Sequence, residues 1–187
     1  MAEIDQAALE AVQDDIAALA EATEKAEFEI AKKRYEVMTP IFEKRREIVA
    51  EIPGFWSTVL QNHMATTELL SESDRPVLEH LTDVWVKHDP KDIRNYEIVF
   101  TFKENPYFGN KELIKKIIVK DDEPTTEVFK IDWKEGKDVT LKDPSKKRKS
   151  GADDAANAAD SFFSWFADED ASLANFFVQE VFPDALK

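Results

Sequence analysis

The 187-residue chain is long enough for one domain plus an extension, and its 43% hydrophobic and 34% charged content allows both a core and much solvated helix. Its formal net charge of −14 repels nucleic-acid phosphates and anionic membranes and attracts basic partners. With no cysteine it has neither disulfides nor thiolate zinc sites, and it contains no run of about 18 apolar residues to span a membrane.

Residues 2–51 are mostly alanine, charged and apolar residues without glycine, a composition that favours helix. The start, Met1-Ala-Glu-Ile-Asp5, lacks the apolar core of a secretory signal. Leu9, Val12, Ile16, Leu19, Thr23, Ala26, Ile30, Lys33 and Val37 follow a three-four spacing, a heptad-like seam. Phe28, Tyr35 and Phe42 form a second line beside it. One helix of this length, about 70 Å at 1.5 Å per residue, could not bury both lines against a small domain. A partner helix is therefore expected, and the seam favours dimerisation through Leu9, Val12, Ile16, Leu19, Ile30 and Val37 over a helix folded back on its own chain. Pro40 ends or kinks the pattern near Met38, and Pro53-Gly54 is the firmer stop.

A second helix is expected over 55–70, and a short one, capped by Ser73 or Asp74 with Pro76 in its first turn, runs through Leu81. The period then changes. Strands are predicted over 82–88, 93–103, 113–120 and 126–133, joined by short turns, which makes an antiparallel meander. Tyr96, Ile98, Phe100 and Phe102 share one face, and Phe129, Ile131 and Trp133 alternate inward on the last strand. Residues 142–160 contain few core-forming side chains and read as a mobile loop. Two closing helices, 160–167 and 172–181, bring Phe162, Phe163, Trp165 and Phe166, then Leu173, Phe176, Phe177 and Val181, over one face of the sheet. The fold class is α+β: a long N-terminal dimerisation helix (1–52) and a domain (53–187) with an antiparallel four-stranded sheet covered by helices.

No catalytic constellation emerges. The four glycines build no phosphate-cradling or dinucleotide pattern, and His63, His80 and His88 lie on separate elements without ligand spacing. The protein is not expected to be an enzyme or to hold a cofactor or metal. The aromatic runs read as core. The acids near the C-terminus carry more information: Asp168, Glu169 and Asp170 sit at a helix-helix turn over an aromatic layer, and Glu180 follows. Carboxylates placed rigidly bind lysine and arginine with little ordering cost, whereas the alternative is a solvated face. Lys146, Lys147, Arg148 and Lys149 form a basic run suited to nuclear localisation; DNA contact through it works against the net charge.

Ile52-Pro-Gly-Phe-Trp56, Phe102-Lys-Glu-Asn-Pro-Tyr-Phe-Gly-Asn110 and Ser161-Phe-Phe-Ser-Trp-Phe-Ala-Asp-Glu-Asp170 occur in that order. Together they resemble the nucleosome assembly protein family of histone chaperones, closest to the SET branch, over roughly residues 35–183. The resemblance implies a homodimer with a long bent helix kept through Pro40, a backbone of antiparallel helices and α/β "earmuff" domains. It implies binding of core histones on an acidic underside, no catalysis and no cofactor. Trp133-Lys-Glu-Gly-Lys-Asp-Val-Thr140 looks like the strand-and-turn segment near that underside, with Asp138 and Thr140 at matched positions. Val181-Phe-Pro183 looks like the final hydrophobic-proline segment. The expected function is a nuclear histone chaperone, able to shuttle with the cytoplasm, that mediates nucleosome assembly and disassembly. The expected histone contacts are Asp138, Thr140, Asp168, Glu169, Asp170 and Glu180. The alternative is an acidic adaptor for other basic proteins, or a subunit presenting histones to a modifying enzyme.

Overall fold

The computed structural model describes residues 6–120, 123–141, 161–169 and 171–186. Helix α1 spans Gln6–Ala50 and continues through Pro40. A proline here deprives the carbonyl four residues earlier of its donor. The Thr39 hydroxyl donates to the Tyr35 carbonyl at 2.7 Å in the same turn. The chain divides into two compact units between Arg45 and Arg46. In the first, Leu9, Val12, Ile16, Leu19, Ile30 and Val37 are 51–67% exposed, an apolar stripe on the helix surface.

In the second unit, Gly54 takes a left-handed conformation (φ 72°) that leads the chain into α2, Phe55–Asn62. The single helix expected over 55–70 is broken at His63, whose backbone is extended (φ −70°, ψ 124°), before α3, Met64–Thr67. Threonine hydroxyls meet the carbonyls exposed by the break. Thr66 donates to Leu60 at 2.6 Å and Thr67 to Gln61 at 2.7 Å. Helix α4 is only Arg75–Leu78, because Leu81 is already paired with Phe102 in the sheet.

Strands β1 (Leu81–His88), β2 (Tyr96–Phe102), β3 (Glu112–Lys120) and β4 (Glu123–Glu127) form one antiparallel sheet in the order β1-β2-β3-β4. Tyr96, Ile98, Phe100 and Phe102 are buried on its core face with Leu113 and Ile117. Strand β2 starts three residues later than expected, since Asp89 N donates to the Asn95 carbonyl at 2.8 Å to close a turn. The fourth strand is shifted toward the N-terminus relative to 126–133. Pro124 is tolerated in it because β4 is an edge strand. Beyond β4 the backbone leaves the ladder: Phe129 N donates to the Phe166 carbonyl at 2.9 Å, and Trp133 makes an isolated bridge with Phe108.

The closing helices are tighter and looser than α. Phe162–Ala167 is a 3-10 helix, and α5 (Ser172–Phe176) runs into a π-helical turn, Phe177–Val181. Phe100 is their common anchor. Its ring lies 5.9 Å from Phe162, 6.0 Å from Trp165, 5.4 Å from Phe166 and 5.4 Å from Phe177. Such edge-on and tilted pairs add to the burial of large apolar rings. The expected loop at 142–160 lies outside the described residues.

Candidate binding surface

The 3-10 helix presents the acidic turn, and buried polar groups hold it at both ends. At its start, the Ser161 hydroxyl accepts from Phe163 N at 3.2 Å. Asp74, fully buried, accepts from Ser161 Oγ at 2.5 Å, Phe162 N at 2.9 Å and Ser71 N at 2.8 Å. Asp74 thus caps the later aromatic helix, not α4, whose N-terminus receives no side-chain bond from it.

At the other end stands Lys115, fully buried on β3 between Leu113 and Ile117. Its Nζ donates to the carbonyls of Trp165, at 2.9 Å, and of Asp168. It also lies 3.4 Å from Thr126 Oγ1 and 5.7 Å from the centre of the Trp165 ring. Thr126 Oγ1 itself donates to the Asp168 carbonyl at 3.0 Å. Elsewhere on this face, burial pushes the Tyr96 hydroxyl far above its usual titration range, so it stays protonated and donates to Asn175 Oδ1 at 2.6 Å.

Asp168 and Glu169 are exposed immediately after this fixed helix. Asp170, the third expected acid, lies outside the described residues, as do Lys146, Lys147, Arg148 and Lys149. Glu180 is exposed on the π-helical turn, between buried Phe177 and Val181. Asp138 and Thr140 are half-buried and bond to each other: Asp138 Oδ1 accepts from Thr140 N at 2.9 Å and from Thr140 Oγ1 at 2.6 Å. They follow a turn at Gly136, whose φ of 66° suits glycine. The segment joins the same aromatic layer through Trp133, whose ring is 5.7 Å from Phe163 and 5.4 Å from Phe108. The described ones among the expected contact residues therefore fall on three segments built around one aromatic core.

Lys115 and the capping of the aromatic helix by Asp74 are not anticipated from the sequence. The available signal for Lys115 was its place in the alternation Leu113-x-Lys115-x-Ile117, which puts an ammonium on the core face. Among the described residues no group of three His, Asp or Glu is placed to hold a metal ion, and no helix is long and apolar enough to cross a membrane.

Residues 50–184 match the family model described as Nucleosome assembly protein (NAP). NAP1-related protein 2 of Oryza sativa subsp. indica is 36% identical over 92% of this chain and 68% of its own length. Protein SETSIP of Homo sapiens is 36% identical over 86% of this chain and 55% of its own length. The chain thus spans between half and about two thirds of these curated relatives. The crystal structure of Ccp1 matches with a TM-score of 0.78 at 28% identity, covering 95% of this chain and 93% of that one. The order of elements, the aromatic 3-10 helix and these matches agree: the chain belongs to the nucleosome assembly protein family, with relatives on its SET branch.

Proposed function

We propose that the protein is a homodimeric, nuclear histone chaperone that holds core histones on an acidic surface and mediates nucleosome assembly and disassembly. The observation that carries this reading is the exposed Asp168-Glu169 turn on a helix held by Asp74 and Lys115. A prebuilt pair of carboxylates meets histone lysines and arginines with little ordering cost. Asp138, Thr140, Asp170 and Glu180 complete the contact set. The net charge of −14 speeds encounter with a basic partner and suppresses binding to DNA. The histone side chains that pair with these acids also pair with DNA phosphates, so chaperone and DNA compete. The activity is binding, without catalysis or cofactor.

In this reading residues 1–52 serve dimerisation and 53–187 form the histone-binding domain. The exposed stripe Leu9, Val12, Ile16, Leu19, Ile30 and Val37 supports a helix-helix dimer, since a second copy would remove it from water. Lys146–Lys149 serve nuclear import. The test is titration of purified protein with H2A–H2B and H3–H4 pairs in rising salt, with DNA as competitor. Binding weakens as salt rises, and the protein draws histones from DNA. Equal binding of unrelated basic proteins at matched salt would favour the adaptor reading; absence of histone binding would end the proposal.

A further inference from the structure

We propose that Lys115 is the positioning residue of the acidic turn, setting the direction in which Asp168 and Glu169 meet a lysine- and arginine-rich partner. This rests on the reading of that turn as the histone-binding site. Lys115 does not reach the surface. It acts through two carbonyl oxygens, those of Trp165 and Asp168, which flank the point where the chain leaves the 3-10 helix. The Asp168 carbonyl receives Lys115 Nζ from β3 and Thr126 Oγ1 from β4. The turn is thereby tied to adjacent strands of the sheet, whose pairing is continuous from Lys116↔Glu127 to Lys120↔Glu123.

An apolar residue at this position would fill the same space, as Leu113 and Ile117 do on either side. It would not orient a carbonyl. A buried ammonium is unfavourable unless its N–H groups find acceptors, and among the described residues Lys115 has the Trp165 and Asp168 carbonyls and Thr126 Oγ1 within reach. The cation also stands at the carbonyl end of the 3-10 helix, where positive charge is favoured. The consequence is a turn that is ordered in the free protein, which saves ordering cost on binding.

The test uses the full chain carrying Lys115→Met, which keeps most of the side-chain volume and removes the ammonium. Amide exchange at 167–169 is expected to accelerate at least about tenfold, with β2 exchange unchanged. The folded protein is expected to bind H2A–H2B and H3–H4 about fivefold or more weakly. Thr126→Val, which removes one donor to the Asp168 carbonyl, shifts both readouts the same way by a smaller factor and serves if the methionine variant does not fold. A variant of Asp168→Lys with Glu169→Lys, measured alongside, tests the turn itself. If that variant loses affinity while folded Lys115→Met and Thr126→Val keep it, positioning by Lys115 is overturned and the turn remains the site. If all three bind like the parent, the histone-site reading falls and the proposal with it. Exchange that rises equally in β2 and the turn, with unchanged affinity, makes Lys115 core support only and overturns the proposal too.

Discussion

The ammonium of Lys115 donates to the carbonyl of Trp165 at 2.9 Å, joining residues 50 positions apart. Its counterpart is Asp74, whose carboxylate accepts from Phe162 N at 2.9 Å, 88 positions away. The 3-10 helix thus has a buried anion on its first amides and a buried cation on its last carbonyls, matching the partial charges of its two ends. Between them the aromatic rings close on Phe100. The acidic turn inherits its position from this arrangement.

Asp74 is the more exacting of the two pins. Replacing it with alanine leaves Ser161 Oγ and Phe162 N without their acceptor in a buried setting, and Ser71 N in a part-buried one. A loss of about 2–4 kcal/mol is expected, read as a lower urea midpoint with an unchanged slope. A midpoint within experimental scatter of the parent would show that water or backbone shifts replace the carboxylate.

How much of this was legible in the sequence follows from what each signal reports. The alternation Tyr96, Ile98, Phe100, Phe102 identified a buried strand face because period two reports which side a residue faces. The same signal at Phe129, Ile131 and Trp133 predicts a strand. Phe129 and Trp133 do turn toward the aromatic layer, but Phe129 N donates to the Phe166 carbonyl, and the neighbours of Trp133 bond outside the ladder, Lys134 N to the Tyr107 carbonyl and Gly109 N to the Asp132 carbonyl. Facing was legible and pairing was not. The break at His63 was hidden because Phe55 to Leu69 keeps a helical apolar spacing, while the hydroxyls of Thr66 and Thr67 supply the alternative bonds. Lys115 was hidden for a different reason: two of its acceptors, the Trp165 and Asp168 carbonyls, lie 50 and 53 positions later, so no local pattern announces them.

His88 links stability to pH. Burial holds its imidazole below the usual histidine range, only partly opposed by the bond between Nδ1 and the Ile93 carbonyl at 2.7 Å. The folded state therefore binds a proton less readily than the unfolded state. Stability from this residue is fully present above the unfolded value of about 6.5 and is lost as pH falls through the folded value. Thermal melting should drop on acidification from about pH 7.5 to about pH 5, with a shallower slope in His88→Gln. An identical slope in the two proteins would assign the pH dependence to other groups.

The exposed stripe on α1 predicts the assembly state. The parent should sediment as a dimer. Ile16→Asp with Leu19→Asp would place unpaired charge in the helix-helix contact and weaken association by at least about a hundredfold, with the spectrum of the sheet domain retained. A parent that sediments as a monomer at all concentrations would leave the stripe without the proposed partner.

The most direct measurement of the central claim is the affinity of core-histone pairs for the variant Asp168→Lys, Glu169→Lys. Both side chains are exposed, so charge reversal should leave circular dichroism, melting and dimer mass as in the parent. Each carboxylate contact contributes about 1 kcal/mol or more, so affinity should fall at least about thirtyfold at moderate salt. The residual binding should also depend less steeply on salt. A folded, dimeric variant that holds both histone pairs as tightly as the parent would contradict the account.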